Sequence, residues 1–164
     1  MPHSATNKPV EPDVGELVLP DINPVDIRFS AMNLLARREH TQKELIQKLK
    51  RRFPDTVLLE IEIQRLSDEN LQSDERFAEN YVRYRSELGF GLMRIRQDMR
   101  QRGLSDTEIS QALEAAAVDW AALSEQVFRK KYGEQASRDI KEKAKRMRFM
   151  QYRGFSSDEY QHLL

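Results

Sequence analysis

A chain of 164 residues that is 39% hydrophobic and 33% charged can build one or two small cores, and its balance is that of a heavily solvated protein. No apolar run approaches the roughly 18 residues of a membrane span, and no cationic start precedes an apolar stretch at the N-terminus, so no membrane association and a cytoplasmic location are expected. The absence of cysteine excludes disulfides, thiol nucleophiles and thiolate metal sites. The net charge of zero conceals an acidic N-terminus, with Glu11, Asp13, Glu16, Asp21 and Asp26 against Lys8, and a basic remainder that suits a polyanionic partner.

Prolines at positions 2, 9, 12, 20 and 24 interrupt the start of the chain, and residues 1–22 read as a disordered acidic tail. From there the apolar spacing is helical throughout. Asn23, Pro24 and Asp26 open a helix burying Ile27, Ala31, Leu34 and Leu35. Thr41 and Glu44 form a capping box for a short helix with Leu45 and Leu49 inward, stopped by Pro54. Asp55 caps a third helix, expected to bury Leu58, Ile61 and Leu66.

The pattern then restarts. Asp74 is expected to cap a helix with Phe77, Ala78, Tyr81 and Val82 inward that ends at Gly89. The next runs from about Leu92 to Arg102 with Leu92, Ile95 and Met99 inward, and Gly103 ends it. Ser105 and Glu108 then cap a helix carrying Ile109, Ala112 and Leu113. A third round places Asp119 before Trp120, Leu123 and Val127, stops at Gly133, and sets Ser137 before Ile140, Ala144 and Met147. Gly154 ends that helix, and Ser156 with Glu159 opens the last, with Tyr160, Leu163 and Leu164 inward.

One junction is written twice. RGLSDTEISQAL, residues 102–113, is echoed by RGFSSDEYQHLL, residues 153–164, with Arg, Gly, Ser, Glu and Leu at matching places. The period of about 45 to 50 residues is that of a helical repeat array. The fold expected is therefore all-α, an elongated curved array of three tandem three-helix repeats over residues 23–72, 73–118 and 119–164, each too small to stand without a neighbour.

Enzymatic signals are missing. His3, His40 and His162 show no metal-binding spacing, so no metal is expected. Gly89 and Gly91 lack the strand and lysine of a nucleotide loop, so no cofactor is expected either. Asp74, Asp106, Glu108, Asp158 and Glu159 stand in first turns, where capping accounts for them.

Positive charge instead gathers on the second helix of each unit, and between Arg129 and Arg153 ten basic residues face Glu134, Asp139 and Glu142. Asp98 is one turn from Arg94 and Arg102, and Glu142 one turn from Arg146, so these cations have local partners. Arg96 and Arg100 have no acid one turn away. Arg138, Lys141, Lys145 and Arg148 form a single stripe beside an expected apolar face of Ile140, Ala144, Met147 and Gln151. These six cations are the candidate contacts with phosphates or an acidic protein surface. Tyr84 and Tyr152 lie off the inward stripes among arginines, whereas Phe77, Tyr81, Trp120, Tyr132 and Tyr160 fall at core spacing.

The stretch LQSDERFAENYVRYRSELGFGLMRIRQDMRQRGLSDTEISQAL resembles the RecX family of bacterial regulators of the RecA recombinase. The resemblance is carried by Asp74 to Ala78, Val82, Arg85, Gly91, Arg94, Ile95, Gly103, Ile109 and Leu113. AMNLLARREHTQKELIQKL looks like that family's opening segment, so residues 26–164 are covered. The resemblance implies a non-enzymatic, monomeric modulator that binds the RecA filament on single-stranded DNA along its groove. Such a modulator limits filament growth, ATP hydrolysis, strand exchange and coprotease activity. The alternative reading is an autonomous helix-turn-helix DNA-binding module built on the Gly103 or Gly154 turn, disfavoured by Asp106 and Glu108 in the helix that would read bases.

Overall fold

In the computed structural model residues 21–164 are described, and every regular element among them is helical. The helices are α1 (Pro24–Leu35), α2 (Gln42–Leu49), α3 (Thr56–Asp68), α4 (Asp74–Glu87), α5 (Leu92–Gln101), α6 (Asp106–Ala116), α7 (Trp120–Tyr132), α8 (Ile140–Arg153) and α9 (Ser157–Tyr160), which runs into a 3-10 turn at Gln161–Leu163. The expected acidic tail lies outside the described residues except for Asp21 and Ile22. Ile22 packs against the first core.

Local chemistry sets most helix starts. Asn23, Asp55 and Asp119 each accept a first-turn N–H, and complete capping boxes form at Thr41 with Glu44 and at Ser105 with Glu108. Three starts differ from expectation. Ser73, not Asp74, caps α4, because the Asp74 carboxylate accepts the Gln42 N–H at 3.0 Å and the Gln72 amide at 2.8 Å. Asp139, not Ser137, caps α8, and Ser156 makes no side-chain capping bond.

Each consecutive triad encloses its own core, and every substantial helix pairing falls within a triad. The first core holds Ile27, Ala31, Leu45, Leu49, Phe53, Leu59, Ile63 and Leu66. Here α3 turns a different stripe inward from the expected one, since Ile61 is 45% exposed while Leu59 and Ile63 are fully buried. The second core is built on Phe77, Ala78, Val82, Ile95, Met99, Ile109 and Leu113. The third is the thinnest, with only Phe128, Met150, Phe155 and Tyr160 buried, and it depends on its neighbours accordingly.

The two joints between triads share one design. At the first, the α2 cap Thr41 donates its hydroxyl to the Arg102 carbonyl at 2.7 Å, and the Lys43 side chain lies over Gly103. At the second, Gly91 donates its N–H to the Arg153 carbonyl at 2.7 Å, and Met93 donates to the Gly154 carbonyl at 3.1 Å. In both, a helix N-terminus is seated on a helix C-terminus: at the second, backbone N–H groups at the start of α5 satisfy orphan carbonyls of α8, whereas at the first the Thr41 hydroxyl does this for α5. Gly103 and Gly154 have φ of +90° and +97°, and a Cβ on either would strike the incoming helix.

Candidate nucleic-acid interface

The second joint brings the exposed face of α5 against the last turn of α8. Met93, Arg94, Arg96, Gln97 and Arg100 form one wall of a groove of about 650 Å³, and Gln151, Tyr152, Gly154 and Phe155 form the other. Arg96 is half-buried and Arg100 exposed. On α8, Lys141, Lys145 and Arg148 are all exposed and follow the i, i+4, i+7 spacing of one helix face. The next step along this line is Tyr152, so the stripe leads into the groove. The span from Lys141 to Tyr152 is about 16 Å at the helical rise. Arg138 lies exposed in the loop before α8.

Pairing separates these cations. Among the described residues, Arg96, Arg138, Lys141, Lys145 and Arg148 enter no ion pair. Arg100 departs from expectation: its Nε reaches the Asp106 carboxylate at 2.8 Å. The Gly103 turn folds the start of α6 back onto α5, so an acid six residues away becomes a neighbour. Both partners are well exposed, which makes the pair weak and easily exchanged for another anion.

The expected inward face of α8 is also corrected. Ile140 is 83% exposed, and Met147 and Gln151 also face outward. The inward line is Glu142, Arg146, Phe149, Met150 and Arg153. Arg146 pairs with Glu142 at 3.4 Å, donates to the Gln135 carbonyl, and lays its guanidinium over Tyr132 and Phe128. Its long stem fills space that a smaller apolar residue would leave empty.

Asp98 anchors the α5 wall. It accepts the Tyr81 hydroxyl at 3.1 Å, faces Arg85 at 3.5 Å and pairs with Arg94 at 3.4 Å. Arg102 bonds only to the Asp98 backbone carbonyl and directs its Nε to Glu44 across the first joint, at 3.2 Å. Arg94 in turn donates to the Tyr152 carbonyl at 3.3 Å, and its guanidinium sits 5.0 Å from the Tyr152 ring centre. Arg85 and Arg153 pack on Phe90, at 3.8 and 4.8 Å. The second joint is therefore cemented by arginines, while the free cations project beyond it.

Tandem triads with an open basic groove at one joint define an all-helical repeat protein suited to binding an extended anionic partner. Three RecX family models match, describing the first, second and third three-helix domains over residues 28–60, 73–113 and 119–164. Regulatory protein RecX of Pseudomonas entomophila (strain L48) is 44% identical over 141 residues, covering 86% of this chain and 91% of that protein. That of Ectopseudomonas mendocina (strain ymp) is 40% identical over 142 residues, covering 87% and 95%. A crystal structure of regulatory protein RecX superposes with a TM-score of 0.71 at 25% identity, over 85% of this chain and 72% of that one. RecX from Lactobacillus salivarius shares the fold with a TM-score of 0.65 at 24% identity, over 85% and 93%. The chain belongs to the RecX family.

Proposed function

We propose that this protein is a cytoplasmic regulator of the RecA recombinase that binds the RecA filament on single-stranded DNA through its α5–α8 surface. Binding along the filament groove limits filament growth and thereby lowers ATP hydrolysis, strand exchange and coprotease activity. The observation that carries this reading is an open groove between two repeats lined by Arg96 and Arg100, toward which the exposed α8 stripe of Lys141, Lys145 and Arg148 leads; of these five cations only Arg100 has an acidic partner among the described residues. Family membership supports a regulatory role, and the resemblance of residues 26–164 supplies RecA as the partner.

The physical logic is multivalent. Successive triads place weak contacts at fixed spacing, and a filament offers the same surface on each protomer, so several weak contacts add to a tight one. A ligand seated across neighbouring protomers opposes both their rearrangement and the addition of the next. Titrating the purified protein into RecA assembled on single-stranded DNA tests this. The ATPase rate should fall at substoichiometric amounts with shorter filaments; unchanged rate and filament length would sink the proposal.

A further inference from the structure

We infer that Tyr152 is a stacking platform for an unpaired nucleobase, and that its ring makes the α5–α8 groove select single-stranded over duplex nucleic acid. This rests on the proposed reading of the groove as a nucleic-acid surface and goes beyond it in naming the residue and the strandedness.

The ring is 67% exposed, although it lines a groove. One of its faces is covered by the Arg94 guanidinium, 5.0 Å from the ring centre. That guanidinium is itself held, by Asp98 at 3.4 Å and by the carbonyl of Tyr152 at 3.3 Å. Asp98 is fixed in turn by Tyr81 and Arg85. No second cation and no aromatic ring stacks on Tyr152 among the described residues, and its 67% exposure leaves the ring open to solvent. An aromatic face fixed in place and left open pays little ordering entropy when a flat partner lands on it.

The remaining rings near joints are already occupied. Phe77 stacks on Tyr81, Tyr132 packs with Phe128 and Phe149, and Phe90 lies under Arg85 and Arg153. Tyr84 is 60% exposed, yet it does not line the groove. Around Tyr152 the chemistry is that of a single-strand site. Arg148 and Lys145 precede it on its own helix face, and Arg96 and Arg100 stand one turn apart on the opposite wall, as a strand with its phosphates on cations and a base on a ring requires. A duplex offers its phosphates but not the face of a base, because each base is already stacked within the helix.

The test compares an oligothymidylate of about 16 residues, an abasic strand of equal length and the matching duplex, by fluorescence anisotropy at fixed salt without RecA. The wild-type chain should bind the oligothymidylate about 5- to 150-fold more tightly than the abasic strand, the range expected for one stacked base. Tyr152→Ala should erase that ratio without weakening abasic binding, and Tyr152→Phe should keep it. A 2-aminopurine placed in the strand should be quenched by the wild-type and Tyr152→Phe chains and not by Tyr152→Ala. If the wild-type chain binds no strand at all, both the groove reading and the platform fall. If binding is salt-dependent and weakened by Arg96→Ala, but Tyr152→Ala leaves the ratio and quenching intact, the platform alone is overturned.

Discussion

Replacing Gly154 by alanine tests how the second joint is held. The new Cβ would lie 2.5 Å from the Arg94 backbone nitrogen and 2.9 Å from its Cα, and neither atom can swing aside as the end of a side chain can. The left-handed backbone costs about 1 to 2 kcal/mol for a residue with a Cβ, and forcing atoms into a filled space costs about 1 to 3 kcal/mol more. Moving α5 away to relieve the clash breaks the Gly91 to Arg153 and Met93 to Gly154 hydrogen bonds, each worth about 1 kcal/mol. Since the hydrogen bonds are lost only if the clash is relieved, the total is about 2 to 5 kcal/mol, a large share of the ~5 to 15 kcal/mol that stabilises an ordinary domain. Gly133→Ala is the matched control. Its φ and ψ of +76° and −161° lie in a region that is essentially glycine's alone, and nothing lies within 4 Å of the added methyl, so only the dihedral cost of about 1 to 3 kcal/mol applies.

The way the loss appears is as diagnostic as its size. The third triad buries only four apolar side chains of its own, so opening the joint should release it before the first two triads melt. Trp120 is the chain's one tryptophan, lies at the start of α7 and packs against the second core, so its fluorescence reports the packing of the third triad on the second. In urea, Gly154→Ala should show a fluorescence transition well before the loss of helical circular dichroism, whereas Gly133→Ala should keep the two close together. Equal, small losses in both variants would refute the reasoning, because they would mean that Gly154 only ends a helix.

Three further outcomes are expected. Lys141→Glu combined with Lys145→Glu should weaken binding to oligothymidylate or to the RecA filament and flatten its salt dependence, with thermal unfolding nearly unchanged because both side chains are exposed. His40 is buried, its Nδ1–H donates to the Arg38 carbonyl at 2.9 Å, and its Nε2 accepts from Lys48 at 3.1 Å. Burial, followed by the nearby Arg38 and Lys48 charges, holds its pKa below the ordinary value of about 6.5 despite the Arg38 carbonyl and Glu44. The unfolded chain therefore binds the proton more readily, so this contribution is complete above about pH 6.5 and is lost as pH falls through the folded pKa. His40→Gln should flatten that dependence in thermal melts. Removing residues 1–20, which hold Glu11, Asp13 and Glu16 against Lys8, leaves a chain of net charge +2. Its affinity for oligothymidylate should exceed that of the full chain at low salt and converge with it at high salt.

What could be read from the sequence was what local chemistry decides. The capping boxes at Thr41 and Ser105 need only residues within one turn, and they stand where expected. What escaped depends on neighbours distant in sequence. Asp74 looks like a cap, but its carboxylate is claimed by Gln42 of the first triad, leaving the role to Ser73. In α3 the run TVLLEIEIQRL offers two overlapping apolar stripes, and the one chosen carries Glu62, which is 5% exposed and paired with Arg65. In α8 the inward arginines read as surface, because apolar periodicity gives no credit to a guanidinium lying on aromatic rings. For the candidate site, the exposed positions of Lys141, Lys145 and Arg148 follow from helix spacing alone. The groove that Arg96 and Arg100 line, and toward which that stripe leads, does not, since it exists only where the end of α8 meets the start of α5.

The duplicated junction carries that missing information, and the first triad shows why. Its turn between second and third helices has Phe53 two residues before the cap Asp55, the place taken by Gly103 before Ser105 and by Gly154 before Ser156. Phe53 is 5% exposed within the first core and has no positive φ. A second helix in this fold can therefore end and hand over to a third without glycine. Helix termination alone does not explain the repeated Arg-Gly; a seat for the incoming helix N-terminus does, because only a residue without Cβ lets the Lys43 side chain lie against Gly103 and the Arg94 backbone against Gly154. The same requirement brings the α5 arginines beside the end of α8, so the residue that closes the joint also sets the width of the basic groove. Gly154→Ala should consequently weaken oligothymidylate binding even at urea concentrations where circular dichroism is still native, and an unchanged affinity there would separate the groove from the joint.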